Sequence, residues 1–259
     1  SAETLAQNIL PLCSGAKAVA HIHNMTLKGE YTIHHSLHVA ILAGLMGKWL
    51  KMPQKDQLRL ITAGSLILIG NLRIEQAMLD KEGVLTPDER KIMQEHPKFG
   101  HELIMAGGLG EDEEIAEAVL QYHERGDGSG YPRGLVKEEI GEFARILAIM
   151  DMYDAMASDR SYAKKRSPFE VFNILSDDIM NGQLDTEFGF RFIRRVCHSL
   201  NGSWVKLSNG EAGKIIYIDE SRLAALPVVQ TMDGEFMDLN LRTDVKVEYL
   251  LTSREIEEE

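Results

Sequence analysis

Residues Glu30 to Leu50 read EYTIHHSLHVAILAGLMGKWL, and this stretch decides the class of fold. Its apolar residues recur at intervals of three and four, the spacing that places side chains on one face of an α-helix. We therefore predict a helix here whose apolar face is turned to the core. The residues of this face are Ile33, Leu37, Ile41, Leu45 and Trp49, with Leu42, Met46 and Leu50 beside them.

Helical patterns fill most of the first two hundred residues. Thr86-Pro87-Asp88-Glu89 is typical of a capping box with proline at the first helical position, and it predicts a helix that reaches His96. Ser167-Pro168-Phe169-Glu170 repeats this arrangement. The predicted fold class is therefore mainly α. Three further ranges with helical spacing are Asp56 to Ile69, Asp112 to Glu124 and Glu142 to Ala157.

The character of the sequence changes after His198. Four short strand-like runs follow, and Asn209-Gly210 and Asp233-Gly234 favour tight turns between them. We predict three parts: an N-terminal helical segment at residues 1–29, a helical domain at 30–198 and a small β-rich extension at 199–259. The four runs are Trp204 to Leu207, Gly213 to Ile218, Pro227 to Thr231 and Val245 to Leu250.

Composition excludes several classes of protein. The chain has 259 residues and a formal net charge of -12, so we expect no sequence-independent binding to nucleic acid or to an anionic bilayer. Cys13 and Cys197 lie in unrelated segments, which argues against a disulfide framework or a thiolate zinc site. No apolar run is long enough to cross a bilayer. We expect a cytoplasmic domain, and because the chain opens on Ser1 and not on Met, we expect further protein upstream.

Six polar residues stand out because they lie in or directly beside otherwise apolar helices. Imidazole and carboxylate groups that converge from separate helices of a bundle can form a metal centre for hydrolysis. Taken singly, each residue has a simpler explanation, since a lone His is usually a hydrogen-bonded core or surface residue and an Asp is often a cap. The six residues are His35, His96, His123, Glu124, Asp151 and Asp154.

Two further histidine pairs have the close spacing of metal ligands. His34 and His38 lie four residues apart, and His21 and His23 lie two apart. No carboxylate lies near the first pair in sequence. We expect neither pair to bind a metal.

Four ordered motifs resemble those of the HD-GYP family, the cyclic di-GMP phosphodiesterase branch of the HD phosphohydrolase superfamily. The match spans roughly Glu30 to Ser176, and four motifs of this length in one order are highly specific. The resemblance implies an HD-type helical bundle and a metal-dependent hydrolase as its ancestor. The motifs are HSLHVA at residues 35–40, EHPKFG at 95–100, HERGDGSGYP at 123–132 and DMYDAMASDRSY at 151–162.

The sequence departs from this family where the family binds metal. Members of the family read His-Asp-Ile-Gly-Lys where this chain reads Ile67-Leu68-Ile69-Gly70-Asn71, so the His and the bridging Asp have become hydrocarbons. Members read His-His-Glu where this chain reads Tyr122-His123-Glu124. Some members add a glutamate one turn before the first His, and that place is Tyr31 here.

By the resemblance, four metal-ligand positions remain: His35 and Asp151 on one side of the cluster, His96 and His123 on the other. Catalytic zinc-type sites usually have about three protein ligands. We therefore assign no catalytic residue and expect no metal at full occupancy; any cofactor is Fe, Mn or another divalent metal at reduced stoichiometry. We expect Ile67-Leu68 to lie where the metal would be, beside a small, wet pocket.

The loop from Gly128 to Pro132 keeps the motif that gives the family its name. The resemblance implies that Tyr131 and Arg160 contact the phosphates of cyclic di-GMP, together with a lysine that is Asn71 here. Gly128 and Gly130 permit positive φ and a close backbone approach. Without that lysine and the cations, we expect weak binding of cyclic di-GMP. The alternative role is a rigid turn kept for folding or for docking, and the resemblance implies docking onto diguanylate cyclase domains through Gly130-Tyr131-Pro132.

Three functional hypotheses follow from the resemblance and its departures. The first is a catalytically inactive HD-GYP homologue that acts as an interaction or sensing module. The second is an active or residually active metal-dependent phosphodiesterase. The third is a receptor that binds cyclic di-GMP without hydrolysing it. A homodimer formed through the β extension or the N-terminal helix is left open.

Overall fold

The computed structural model describes residues 2–14, 31–81, 83–108, 112–158, 166–252 and 255–256. The described part is a helical bundle followed by a small antiparallel sheet. The helices are α1 (Ala2–Ile9), α2 (Tyr31–Trp49), α3 (Gln54–Leu66), α4 (Gln76–Leu79), α5 (Pro87–Met93), α6 (His96–Ala106), α7 (Glu113–Gln121), α8 (Glu142–Ala157), α9 (Pro168–Met180) and α10 (Thr186–Leu200). Short 3₁₀ turns span Leu10–Ser14, Ile69–Arg73 and Lys137–Glu139.

Helix α2 lies at the centre of the bundle. Residues 38–47 are buried without interruption, because α1, α3 and α8 pack around this helix. The prediction of one core-facing stripe was therefore too narrow, since a helix enclosed by others is apolar on all sides. Ile33, predicted to face the core, is 62% exposed near the start of the helix.

Capping chemistry fixes where several helices begin. The hydroxyl groups of Thr86 and Ser167 accept hydrogen bonds from Glu89 N and Glu170 N, which confirms both predicted capping boxes. The predicted single helix from Thr86 to His96 is wrong, because α5 ends at Met93 and α6 begins at His96. Pro97 has no N–H to donate to the Met93 carbonyl, and its ring would clash with that carbonyl.

Two predicted helices end earlier than their periodicity suggested. The predicted helix Asp56 to Ile69 ends at Leu66, and the 3₁₀ turn that follows packs against α6. This packing needs Gly70, since a Cβ there would lie 1.9 Å from the His96 carbonyl oxygen. Helix α7, predicted to reach Glu124, ends at Gln121. The chain then turns, and the residues that follow α7 enter the candidate site.

A five-stranded antiparallel sheet follows α10. Its strands are β1 (Trp204–Leu207), β2 (Ala212–Tyr217), β3 (Val228–Thr231), β4 (Phe236–Asp238) and β5 (Val247–Leu250), in the spatial order β4-β3-β2-β1-β5. Strand β4 was missed because it has only three residues, and Phe236 is exposed at the sheet edge. Buried residues of the strands, including Val205 and Ile215, join the same apolar core as the helices. The division into three parts remains a prediction.

Among the described residues, no helix combines the length and the apolar character that crossing a membrane requires.

Asp185 ties the start of α10 to α8. Its Oδ1 accepts hydrogen bonds from Glu187 N at 2.9 Å and Phe188 N at 3.1 Å. Its Oδ2 accepts a hydrogen bond from Arg145 at 2.7 Å and lies 3.3 Å from Lys137 Nζ. Burial raises the pKa of this carboxyl, but the Phe188 N–H and the Arg145 guanidinium outweigh burial and hold the pKa below its usual range.

We expect Asp185→Ala to lower the free energy of unfolding by about 2–3 kcal/mol, since it removes a helix cap and a charged partner. Asp185→Asn keeps the cap oxygen and loses only the charge, so about 1 kcal/mol is expected. Because the folded pKa is lowered, the charge stabilises the protein above about pH 4 and this contribution is lost as the pH falls. Urea unfolding at pH 7 and pH 3 measures both effects, and a difference between wild type and Asp185→Asn that does not shrink at pH 3 contradicts this account.

Candidate functional site

The candidate site forms where four helices meet. Helix α2 contributes His35, and α8 contributes Asp151 and Asp154. His96 is the first residue of α6, and Tyr122-His123 follows the end of α7. The structure therefore brings the four predicted ligand positions into one region and keeps His35 beside Asp151. The partners that the sequence did not predict are Asp154, which bonds to His35, and Tyr122, which bonds to His96.

His35 lies between two carboxylates. Its Nδ1 is 2.8 Å from Asp154 Oδ2, and its Nε2 is 2.9 Å from Asp151 Oδ1. Burial lowers the pKa of His35, but the hydrogen bonds and charges of the two carboxylates prevail and raise the pKa to about 9. The imidazole is therefore protonated near pH 7 and donates a hydrogen bond from each ring nitrogen.

Asp154 is fully buried and accepts hydrogen bonds from several donors. His38 Nδ1 lies 3.0 Å and Ser158 Oγ 2.9 Å from its Oδ1, while His35 donates to its Oδ2. Burial raises the pKa of Asp154, but the hydrogen bonds from the two histidines lower it far below its usual range. His38 was considered only as a metal ligand paired with His34, and its hydrogen bond to a carboxylate 116 residues away was not predicted.

His96 and Tyr122 form the other half of the centre. His96 Nδ1 lies 2.6 Å from the Met93 carbonyl oxygen, so this nitrogen carries the proton and donates it. His96 Nε2 then accepts a hydrogen bond from the Tyr122 hydroxyl at 2.7 Å. Burial lowers the pKa of His96, which keeps the ring neutral. Tyr122, which replaces the first histidine of the family's His-His-Glu motif, thus donates its hydroxyl proton to the second ring nitrogen of His96.

His123 lies between the two halves. Its ring stacks on Tyr131 with a centroid distance of 4.6 Å, and the His96 ring meets it edge-on at 5.1 Å. Its Nδ1 is 4.0 Å from Asp151 Oδ2, too far for a hydrogen bond. Burial lowers the pKa of His123 to about 3, so the ring is neutral and its contacts are mainly those of a stacked aromatic.

Two of the positions that departed from the family pattern carry hydrocarbon side chains. Ile67 is fully buried in the apolar core, and Leu68 packs against that core. Asn71 lies in the 3₁₀ turn, and its buried Oδ1 has no hydrogen-bond partner among the residues that the structure describes. The side chain of Tyr31 and the whole of Arg160, His21 and His23 lie outside the described residues.

The residues present do not fit a divalent metal. Within the described ranges, no three His, Cys, Asp or Glu side chains are grouped so that they could hold one ion. A catalytic site of the zinc type usually needs about three such donors. The prediction of a small, wet pocket is wrong around His35. Its direct contacts of 2.8 and 2.9 Å with Asp154 and Asp151 leave no space for water between these side chains.

Glu124 anchors the loop that follows α7. Glu124 is 2% exposed, and its carboxylate accepts hydrogen bonds from Arg133 N at 2.7 Å and Leu135 N at 2.9 Å. Sequence reasoning grouped Glu124 with the metal candidates, whereas the structure gives it this structural role. Gly130 completes the fold of the loop, since a Cβ there would lie 2.3 Å from Arg125 N. Tyr131 N also donates to the His123 carbonyl at 3.2 Å, so Tyr131 is held on His123.

Comparison with known proteins places the chain among HD-domain proteins. A family model described as HD domain matches residues 5–187. A cyclic di-GMP phosphodiesterase of Pseudomonas aeruginosa is 30% identical over 203 residues, which are 77% of this chain and 47% of that protein. The cyclic di-GMP phosphodiesterase response regulator RpfG of Xanthomonas campestris is 39% identical over 121 residues, 47% of this chain and 32% of that protein. This chain therefore spans about half or less of the length of these relatives.

One solved structure supports the fold. A HDG"Y"P protein from Bdellovibrio bacteriovorus superposes with a TM-score of 0.59 over 75% of this chain and 62% of that chain. The two sequences are 15% identical, so the likeness concerns the fold alone.

We expect Glu124→Gln to loosen the loop, because an amide offers one acceptor oxygen and turns its NH₂ group toward the second backbone N–H. The free energy of unfolding should fall by about 1–3 kcal/mol, the usual result of leaving a buried donor unpaired. Hydrogen exchange of the Arg133 and Leu135 amides should accelerate. Glu138→Gln, at an exposed position of the same segment, is the control and should change neither quantity. Unchanged exchange in Glu124→Gln contradicts the anchoring role.

Proposed function

This chain belongs to the HD domain family, and from that premise we propose that it is a catalytically inactive relative of the cyclic di-GMP phosphodiesterases. It acts in cyclic di-GMP signalling as an interaction or sensing module. Its curated relatives carry the name cyclic di-GMP phosphodiesterase, which supports the signalling system but not the activity. The support for inactivity comes from this chain's own side chains.

The replacement of two ligand positions by hydrocarbon carries the proposal. A bridging carboxylate positions a metal-bound hydroxide between two cations, and Leu68 offers neither charge nor lone pair for that task. Ile67 is fully buried in the core, and its hydrocarbon side chain has no lone pair to offer a metal. Tyr122 is hydrogen-bonded to His96 on the other side of the centre, so metal-ligand groups needed for hydrolysis are missing on both sides.

The loop supports the second part of the proposal. Its anchor, Glu124, and its close backbone contact at Gly130 do not involve the lost ligand positions. Tyr131 stays stacked on His123, beside the carboxylate of Asp151. A rigid loop of this kind costs little entropy on binding, so it suits docking of a partner such as a diguanylate cyclase domain.

Cyclic di-GMP itself should bind weakly. Asn71 replaces the lysine that the family resemblance places on a phosphate, and the chain has a net charge of -12. Without cations at the centre, little positive charge faces a dianionic ligand. A metal that does bind, whether Fe, Mn or another divalent ion, should do so below one equivalent.

We expect no hydrolysis of cyclic di-GMP. The protein is prepared without chelators, loaded anaerobically with Fe or Mn, and incubated with cyclic di-GMP or with cyclic GMP-AMP, the substrate in the names of other relatives. Product formation should not exceed that of His123→Ala. The Pseudomonas aeruginosa relative, assayed alongside, shows that the metal loading works. Metal-dependent turnover that His123→Ala abolishes contradicts the proposal and establishes a residual phosphodiesterase.

We expect Tyr131→Ala to weaken docking of a diguanylate cyclase domain at least about tenfold, as truncation of a central aromatic contact does. Tyr217→Ala is the matched control, because Tyr217 is an exposed tyrosine on strand β2. Surface plasmon resonance measures docking, and calorimetry measures cyclic di-GMP binding separately. Binding of the nucleotide alone favours the receptor hypothesis, and binding of neither ligand contradicts an interaction or sensing role.

A further inference from the structure

The polar side chains left at the centre bond to one another across two helices. We propose that His35, His38, Asp151 and Asp154 form a metal-free clasp that holds α2 to α8, in which the His35 ring stands between the carboxylates where a cation would otherwise be needed. This inference rests on the proposed loss of hydrolysis and adds a claim that hydrolysis does not test: the fold needs no metal.

Charge balance gives the first argument for the clasp. Asp151 and Asp154 are 8% and 1% exposed, and buried carboxylates are tolerated only when they are paired and hydrogen-bonded. His35 donates to both at 2.8 and 2.9 Å, and His38 Nδ1 adds a contact of 3.0 Å to Asp154. The two carboxylates therefore already have partners within the chain, and they do not require a divalent ion.

Competition for lone pairs gives the second argument. A metal ligand must offer a lone pair, and each ring nitrogen of His35 already lies within hydrogen-bond distance of a carboxylate oxygen, at 2.8 and 2.9 Å. In the other half, the lone pair of His96 Nε2 accepts the Tyr122 hydroxyl at 2.7 Å. A divalent ion would have to break these buried hydrogen bonds on both sides, and it would gain at most two protein ligands on either side.

The shape of the core gives the third argument. Ile67 is fully buried in the same apolar cluster as Val39 and Leu42 of α2. An apolar side chain packed here favours helices held by direct contact over helices separated by a hydrated ion. The packing of Ile67 and the contacts of the clasp thus both favour a protein that folds without a metal.

Thermal unfolding of the native protein tests the inference. After treatment with EDTA and addition of Mn²⁺ or Zn²⁺ at one to ten equivalents, we expect the Tm to change by less than about 1 °C. A resident metal site would raise it by roughly 5 °C or more at saturation. A saturable rise that Asp151→Asn abolishes overturns the clasp. It would leave the proposed function intact if no hydrolysis accompanies it, so the two failures are distinguishable.

Variants test the clasp itself. His35→Gln should lower the Tm by about 5 °C or more with or without EDTA, because it leaves buried carboxylates without their shared donor. His34→Gln, one residue away at a half-buried position, is the control and should shift the Tm by no more than about 1–2 °C. Equal shifts in the two variants contradict the clasp.

Two further measurements remain decisive if His35→Gln does not fold. In the native protein, the ring signals of His35 in NMR spectra should be unchanged by EDTA or by added Zn²⁺, because both ring nitrogens keep their carboxylate partners. Loss of one of these signals on addition of Zn²⁺ would show that His35 is a metal ligand, which contradicts the clasp.

The triple substitution Ile67→His, Leu68→Asp and Tyr122→His restores the family's ligand residues at these positions. It should create a metal-dependent rise in Tm that the native chain lacks. A rise already present in the native chain contradicts the inference.

Discussion

Two buried carboxylates on α8 impose the constraint on which this centre depends. Asp151 and Asp154 lie one turn apart in the core, and charges in such a place need donors within hydrogen-bond distance. His35 and His38 supply them from α2, which fixes both the rotation of α2 and its distance from α8. Because α1, α3 and α8 enclose the rest of α2, the packing of the bundle follows from that rotation. Ser158, bonded to Asp154, extends the same constraint to the end of α8.

The second half of the centre obeys a different rule, because its groups are neutral. His96 keeps one tautomer, set by the Met93 carbonyl, and the Tyr122 hydroxyl fits the nitrogen that remains. His123 joins the halves through ring contacts, since burial keeps it uncharged. A charged half held by ion pairs and a neutral half held by single hydrogen bonds therefore lie side by side. The loop on Glu124 adds a third unit, and it meets the centre through the stacking of Tyr131 on His123.

Much of the fold could be predicted from local sequence, and the failures have physical causes. The capping boxes at Thr86 and Ser167 depend on residues three apart, so the sequence reveals them directly. The exposure of Ile33 depends on which helices surround α2, and periodicity carries no such information. The family resemblance identified the residues of the centre, but their pairing depends on contacts across more than a hundred residues, as between His35 and Asp154. The bond of Tyr122 to His96 and the anchoring by Glu124 join residues much closer in sequence, but they were missed because periodicity does not show which side chains meet.

Under the proposed function, the loop's own anchoring would let a hydrolase scaffold lose its chemistry and keep a binding surface. Catalysis needs several donors to converge on one ion, so it is sensitive to each substitution at positions such as Leu68. The loop is held by its anchor, Glu124, and by close backbone contacts at Gly130, and it meets the centre at His123, which is not one of the substituted positions. The same proposal leaves two buried carboxylates that must be paired. Direct contact with His35 meets that need, so in the proposed clasp these charged residues stabilise the fold without a metal.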